Sequence, residues 1–213
     1  MKIICVGRNY AEHAREMGAP AAPSGSPVIF LKPDTARFHA PSGDGLRRRP
    51  VFYLPDFSQE IHYEVELAFR ICRNGKNIQE EHAGRHLDAH TAGIDFTARD
   101  IQRKCKEEGL PWELSKAFDH SAALGRFVPA DRLGNPDGLD FSLRINGKQV
   151  QRGRSADMLY SPARIVSYVS RFITLYKWDI VFTGTPAGVG LVNKGDILEG
   201  FVQEEKLLEL EIG

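Results

Sequence analysis

The chain has 213 residues, of which 42% are hydrophobic and 26% are charged, and its 28 basic and 28 acidic side chains cancel. This length supports one well-formed core, and the composition is that of an ordinary soluble globular protein. Balanced charge gives no overall field that would attract nucleic acid or an anionic membrane. We therefore expect neither as a partner.

Three cysteines (Cys5, Cys72 and Cys105) are widely spaced, form no CxxC pair and are odd in number. This pattern argues against a disulfide framework and favours a reducing, cytoplasmic location. The first apolar run, within KIICVG, is too short for a signal peptide, and no window approaches the ~18 apolar residues of a membrane span.

Short strands dominate the first half of the chain. KIICVG predicts a strand, and NYAEHAREMG predicts a brief helix with Asn9 as N-cap and Gly18 just after its end. VIFLK and VFYL predict two further strands. A second helix is predicted in NIQEEHAGRHLDAH, where Asn77 is a typical N-cap residue and Glu80 follows three residues later.

The second half continues this pattern. TAGIDFTARDIQRKCKEEG predicts a buried strand that leads into a helix, and Asn146-Gly147 predicts the turn of a hairpin. SPARIVSYVSRF predicts a helix with Ser161 as N-cap and Pro162 in its first turn. DIVFTGTPAGVG predicts a strand entering a glycine-rich turn, and DILEGFVQEEKLLELEI a final hairpin. Without regular βαβ alternation or a composition break, we expect one α+β domain over residues 1–213, mostly antiparallel or mixed sheet.

The stretch IHYEVELAF (61–69) has alternating apolar residues on one face, which is typical of a strand. Its other face carries Glu64 and Glu66 as next-but-one neighbours. Two like charges so close repel each other unless water or a cation lies between them. The pattern alone leaves two interpretations open: a solvated outer face, or half of a metal site.

Asp95 lies in the apolar part of TAGIDFTARD, and a buried carboxylate must be paired, hydrogen-bonded or metal-bound. If Glu64, Glu66 and Asp95 meet, their oxygens suit a hard divalent cation, Mg²⁺ first, with Mn²⁺ and Ca²⁺ as alternatives. The alternative for Asp95 is an ion pair with Arg99, four residues later.

Four motifs in order (YEVEL, GIDFTARDIQ, KAFD and GTPAGVG) resemble the signature series of the fumarylacetoacetate hydrolase family. CVGRNYAEHAREMG and VIFLKPDTA resemble its small, single-domain branch of acylpyruvate hydrolases and oxaloacetate decarboxylases. The resemblance runs from about residue 3 to the C-terminus. It implies a mostly β, mixed-sheet β-roll with a few short helices, a homodimer, and a Mg²⁺ held by Glu64, Glu66 and Asp95.

The resemblance also implies roles for other matched positions. Lys116 corresponds to the lysine that meets the developing oxyanion of the substrate, and His13 with Glu16 to a general-base dyad on a lid. We place that mobile lid at residues 8–27. The implied substrate contacts are Arg8, Lys32, Gln102 and Thr185. Without the resemblance, we would favour an exposed lysine at Lys116, a tight turn at Thr185 and an ordinary exposed pair for His13 and Glu16. Gln102 could then simply face solvent from a helix.

One departure concerns the residues before Lys116, where LPWELSKAFD replaces the WxxGKSFD-like stretch of many relatives. The predicted reaction is Mg²⁺-dependent C–C bond cleavage of 2-oxo acids, with hydrolysis of 3-acylpyruvates first. Oxaloacetate decarboxylation, tautomerase action, and isomerisation or decarboxylation of hydroxylated dienedioates are the enzymatic alternatives. A non-enzymatic protein that binds a metal or metabolite on the same scaffold is the alternative from another class.

Overall fold

The structure is a computed structural model that describes residues 1–18, 25–43, 48–132 and 134–213. Strands in these residues are β1 (Ile3–Gly7), β2 (Val28–Lys32), β3 (Arg37–His39), β4 (Val51–Phe52), β5 (Ile61–Tyr63), β6 (Val65–Ile71), β7 (Leu87–Asp95), β8 (Thr97–Ala98), β9 (Ala122–Leu124), β10 (Val128–Pro129), β11 (Asp140–Ile145), β12 (Lys148–Arg154), β13 (Ile180–Phe182), β14 (Gly190–Leu191), β15 (Ile197–Val202) and β16 (Glu205–Ile212).

The α-helices are α1 (Ala11–Glu16), α2 (Glu80–Ala83), α3 (Arg99–Glu108), α4 (Glu113–Lys116) and α5 (Pro162–Ser170). Short 3₁₀ helices cover Asp34–Ala36, Gly84–His86, Pro136–Gly138 and Ser155–Asp157. No helix in the described residues is both long and apolar enough to cross a membrane.

The strands form three sheets. The largest has the order β2-β1-β13-β6-β7-β9-β3, with β10 also paired to β7; the second is β12-β11-β15-β16-β4, and the third is β14-β5-β8. Parallel pairs (β1 with β13, β3 with β9, β4 with β16) occur among antiparallel ones, so the sheets are mixed. This confirms the predicted α+β class, dominated by strands.

The main core lies between the two larger sheets, where both faces of the central strands are covered. Phe52 and Phe96 stack in it with ring centroids 4.1 Å apart, and Leu67, Phe141 and Leu208 are fully or almost fully buried beside them. A second cluster packs α5 against the large sheet. Because β6 is covered on both faces, its polar positions are buried as well, which excludes the solvated outer face as an interpretation of Glu64 and Glu66.

Several local predictions are confirmed. Asn146 and Gly147 have φ of 51° and 81°, the left-handed conformations that a tight two-residue hairpin turn between β11 and β12 requires. Ser161 caps α5 by accepting a hydrogen bond from the Arg164 amide, with Pro162 at the first position. Gly18 follows α1 with φ of 61°.

Other local predictions are wrong. Asn9 does not cap α1, because its buried side chain donates to Tyr160 O and Thr183 O and accepts from Tyr160 N instead. Asn77 has φ of 52° and lies before the actual helix, which begins at Glu80. Only the first two residues of the predicted strand VFYL form a strand, β4.

The stretch 61–69 is also not one strand. It breaks at Glu64, so that β5 pairs with β14 and β8 while β6 pairs with β13 and β7. The Val65 amide at the break donates to Oε1 of the buried Gln151 at 2.9 Å. The break allows the Glu64 side chain to point towards Asp95, whose amide donates to Glu64 O at 2.9 Å.

Candidate active site

Glu64, Glu66 and Asp95 form a buried carboxylate cluster. One oxygen of each lies within 4.8 Å of the others, and the residues are only 5%, 2% and 1% exposed. The pairing of β6 with β7 brings them together, since Val65 is registered against Ile94 and Glu66 against Gly93. The predicted set of ligands is therefore brought into one place by two neighbouring strands and the break between β5 and β6.

Lys116 lies among these carboxylates at the end of α4. Its ammonium donates to Glu64 Oε2 at 2.7 Å, to Asp95 Oδ2 at 2.8 Å and to Thr97 Oγ1 at 2.6 Å. Burial lowers the pKa of Lys116, but the charges of Asp95 and Glu64 outweigh it and the net shift of that pKa is upward. Lys116 is therefore an ammonium at neutral pH, and it places a positive charge among the carboxylates.

Arg99, the first residue of α3, pairs with Glu64 at 2.5 Å and also donates to Gln102 Oε1 at 2.7 Å. The alternative in which Arg99 pairs with Asp95 is wrong, because the start of α3 directs the guanidinium to Glu64. Burial raises the pKa of Glu64, but Lys116 and Arg99 more than reverse that effect and hold the pKa well below its usual range. Glu64 is thus ionised at any ordinary pH.

Lys32 lies behind Asp95 and does not line the cleft in which the other cations meet. Its ammonium is 2.8 Å from Asp95 Oδ1 and also donates to Lys116 O and to Ser121. Asp95 is thus paired with Lys32 through one carboxylate oxygen and with Lys116 through the other.

Glu66 accepts a hydrogen bond from the Gly184 amide at 2.6 Å. Burial, followed by the charges of Asp95 and Glu64, raises its pKa well above the usual range. A divalent cation between the three carboxylates would reverse the repulsion that causes this rise. An all-oxygen, anionic, buried donor set fits Mg²⁺ or Mn²⁺.

His13 and Glu16 are brought together on α1. His13 Nδ1 lies 3.2 Å from Glu16 Oε2, and the carboxylate of Glu16 accepts from the Gly188 amide at 3.1 and 3.2 Å. His13 is buried and lines the cleft, while Glu16 stands behind it. The predicted lid at 8–27 contains α1, but residues 19–24 of it lie outside the described part of the chain.

The remaining predicted contacts divide into two groups. Arg8, Gln102 and Thr185 line the same cleft as His13, Lys116 and the three carboxylates, whereas Lys32 does not. Thr185 Oγ1 accepts from Gln151 Nε2 at 2.9 Å, which holds the hydroxyl in place at the base of the glycine-rich turn. The cleft therefore combines a cluster of three carboxylates, a histidine and fixed hydrogen-bonding groups.

Other residues of the cleft were not predicted from the sequence. Lys106 and Trp112 line it, and Gln151 supports it from β12 through Val65 and Thr185. The sequence could have indicated Lys106, because Arg99, Gln102 and Lys106 are spaced three and four residues apart and so share one face of α3. No sequence pattern indicated Gln151, since it lies in a hairpin far along the chain.

Comparisons with known proteins identify the family and agree with the fold. A family model described as fumarylacetoacetate (FAA) hydrolase C-terminal matches residues 2–212. The chain is 41% identical over 197 residues to a mitochondrial oxaloacetate tautomerase of Rattus norvegicus, covering 92% of this chain and 85% of that protein. It is 42% identical over 198 residues to an oxaloacetate tautomerase of Escherichia coli, covering 92% of this chain and 86% of that one.

Among solved structures, the fold is similar to fumarylpyruvate hydrolase of Pseudomonas aeruginosa in complex with Mn²⁺ and pyruvate. The TM-score is 0.91 at 38% sequence identity, over 100% of this chain and 89% of that chain. The protein belongs to the fumarylacetoacetate hydrolase family, and the predicted β-roll fold is confirmed.

Proposed function

We propose that this protein uses a divalent cation to cleave C–C bonds of 2-oxo acids, and that its main activity is the hydrolysis of 3-acylpyruvates. The observation that carries the proposal is the meeting of Glu64, Glu66 and Asp95 within 4.8 Å in a cleft that His13 also lines. The similarity to a fumarylpyruvate hydrolase, which acts on an acylpyruvate and was solved with Mn²⁺ and pyruvate, supports it.

Glu64, Glu66 and Asp95 would hold Mg²⁺ or Mn²⁺, which supplies a Lewis acid for the carboxylate and 2-oxo oxygens of the substrate and so favours its enolate. Lys116 adds a permanent positive charge next to that position, in a buried site where charge interactions are strong. Gln102 and Thr185 offer an amide and a hydroxyl that orient the substrate in the same cleft.

His13 is the residue that we assign to proton transfer. Its Nδ1 contact with Glu16 fixes the ring, and the bond from the Gly188 amide fixes Glu16 in turn. A ring held in this way can take a proton from water as the water attacks the far carbonyl of an acylpyruvate. The products are then a carboxylic acid and the enolate of pyruvate.

The second candidate is a reaction of oxaloacetate, either tautomerisation or decarboxylation. The two oxaloacetate tautomerases that are 41% and 42% identical to this chain favour it. Oxaloacetate forms the same kind of enolate at the carbon next to the 2-oxo group, and neither of these reactions requires an attacking water. The predicted homodimer and cytoplasmic location stay predictions from the sequence.

The experiment is a set of assays with acetylpyruvate and oxaloacetate at saturating Mg²⁺ and, separately, Mn²⁺. His13→Ala should lower hydrolysis by about a hundredfold or more, the usual loss for a general base, and should lower oxaloacetate decarboxylation less. Glu12→Ala, an exposed change on the same helix, is the control and should leave both unchanged. Metal and oxalate binding without turnover of either substrate by the wild type would instead favour a binding protein.

A further inference from the structure

The buried side chain of Gln151 connects β12 to two parts of the active site. It is only 2% exposed. Its Oε1 accepts from the Val65 amide at 2.9 Å, and its Nε2 donates to Thr185 Oγ1 and to Pro186 O, both at 2.9 Å. These bonds use the carbonyl oxygen and both N–H groups of the side-chain amide. Gln151 is therefore held in one position by partners on three sides.

The partners also determine which end of the amide faces the glycine-rich turn. The Val65 amide can only donate, and the Pro186 carbonyl can only accept. In the reversed orientation, the amide nitrogen would face the Val65 N–H and the amide oxygen would face the Pro186 carbonyl. Buried groups without a partner are costly, so this orientation is excluded. The group that contacts Thr185 is therefore an N–H donor.

This donor determines the direction of the Thr185 hydroxyl. A hydroxyl has one O–H and two lone pairs, and one lone pair of Thr185 Oγ1 accepts from Gln151. The Pro186 carbonyl is 3.5 Å from Thr185 Oγ1, beyond the roughly 2.5–3.0 Å of an O–H···O bond, and it already accepts from Gln151. Thr185 lines the cleft, so its O–H is left to donate into the cleft.

The turn that carries Thr185 packs directly on β12. Gly188, in the same turn, has φ of 98°, and an added Cβ there would lie 2.8 Å from Val150 O and 3.4 Å from Gln151 Cγ. Such close contact between the turn and the strand keeps the distance from Gln151 to Thr185 fixed.

We propose that Gln151 is a positioning residue that orients the Thr185 hydroxyl as a hydrogen-bond donor to the carboxylate of a 2-oxo acid. Hydrogen bonds to an anion are shorter and stronger than neutral ones, so a hydroxyl that cannot turn its lone pairs to the ligand favours an anion. Gln151 itself lies outside the cleft lining and acts through Thr185. This inference rests on the proposed function, which supplies the 2-oxo acid.

The test is a double-mutant cycle, read by calorimetric binding of oxalate at saturating Mn²⁺. Thr185→Val removes the hydroxyl and keeps the shape, and Gln151→Met removes the amide and keeps the length. Thr185→Val should lower oxalate affinity by about tenfold and Gln151→Met by about fivefold, as expected for one hydrogen bond to a charged group. The double variant should lose about tenfold, rather than the roughly fiftyfold of independent effects.

Two control variants and one control measurement accompany the cycle. Thr185→Ser keeps the hydroxyl and should retain most of the oxalate affinity. Gln149→Met, at an exposed glutamine of the same strand, should bind oxalate as the wild type does. Mn²⁺ affinity without oxalate should be unchanged in every variant, because the pairing of β6 with β7 still holds the carboxylates together.

Independent losses in the double variant would overturn the proposal, and so would full oxalate affinity in Thr185→Val. A loss of Mn²⁺ affinity in Gln151→Met as large as its loss of oxalate affinity would also overturn it, because Gln151 would then support the whole site.

A second measurement does not require Gln151→Met to fold. Hydrogen exchange of the Gln151 side-chain amide, followed by NMR, should be faster for one of its two protons in Thr185→Val than in the wild type. Equal exchange in the two proteins would overturn the proposed contact. If both tests give the expected results but the wild type turns over neither acetylpyruvate nor oxaloacetate, the role of Gln151 stands and the proposed reaction fails.

Discussion

The ammonium of Lys32 joins two parts of the active site, because it lies 2.8 Å from Asp95 Oδ1 and donates to the main-chain carbonyl of Lys116. Lys32 is only 1% exposed and is further held by Ser121. One buried cation thus fixes both a carboxylate of the cluster and the backbone that carries its neighbouring ammonium.

Lys32→Met should therefore destabilise the protein by about 3–5 kcal/mol, the usual cost of removing one partner of a buried ion pair. The reason is that Asp95 would lose a neighbouring charge while Lys116 O and Ser121 would lose a donor. The measurement is the free energy of unfolding in urea. Lys206→Met, which breaks partly exposed pairs with Glu199 and Glu209, should cost about 1 kcal/mol or less. Equal losses in the two variants would contradict the account.

Gly184 supports Glu66 in a way that only glycine allows. Its φ is 99°, and an added Cβ would lie 2.8 Å from Asn9 Cβ and 3.1 Å from Val6 O. Gly184→Ala should cost roughly 1–3 kcal/mol of unfolding free energy and should weaken metal binding, because the amide that donates to Glu66 would shift.

Gly84→Ala is the matched control for Gly184→Ala. Gly84 has φ of −57°, and nothing lies within 4 Å of an added Cβ. This change should be neutral or stabilise by less than about 1 kcal/mol. Full metal affinity in Gly184→Ala would mean that the Gly184 amide does not position Glu66.

His90 should make the stability of the fold depend on pH. It is fully buried on β7, its ring is 6.0 Å from that of Phe69, and neither ring nitrogen has a hydrogen-bond partner in the described residues. Burial lowers the pKa of His90 below its value in the unfolded chain, which is about 6.5. As the pH falls below that value the unfolded chain takes up the proton first, so stability is lost.

His90→Leu should remove this part of the acid sensitivity and should stabilise the protein by about 1 kcal/mol at pH 7, because it replaces two unpaired polar atoms with an apolar group. Urea unfolding from pH 7 to pH 5 measures both effects. His82→Gln, at an exposed histidine of α2, should leave the pH dependence as in the wild type. If the unfolding free energy of His90→Leu depends on pH as strongly as that of the wild type, another group causes the loss of stability in acid.

The sequence predicted those parts of the fold and site that local patterns determine. The hairpin at Asn146 and Gly147 and the helix after Ser161 follow from turn and cap chemistry, and both were found. The ordered motifs identified Glu64, Glu66 and Asp95 as candidate ligands. Whether the three meet is a question of strand register, which the sequence alone does not determine.

The parts that failed depend on distant contacts. Asn9 is of a residue type that often caps helices, but its side chain instead hydrogen-bonds to Tyr160 and Thr183, which are 150 or more residues away. The alternation in 61–69 predicted one strand, but the chain breaks at Glu64, where the Val65 amide donates to Gln151, 86 residues away. Such partners have no local signal in the sequence.

Crystals grown with Mn²⁺ and oxalate would show by anomalous X-ray diffraction whether Glu64, Glu66 and Asp95 hold one divalent cation for 2-oxo acid chemistry. We expect one strong manganese peak in contact with carboxylate oxygens of all three residues, with oxalate on the side of the cleft that His13 lines. A peak that lacks contacts to the three carboxylates, or no peak at a Mn²⁺ concentration that supports turnover, would contradict it.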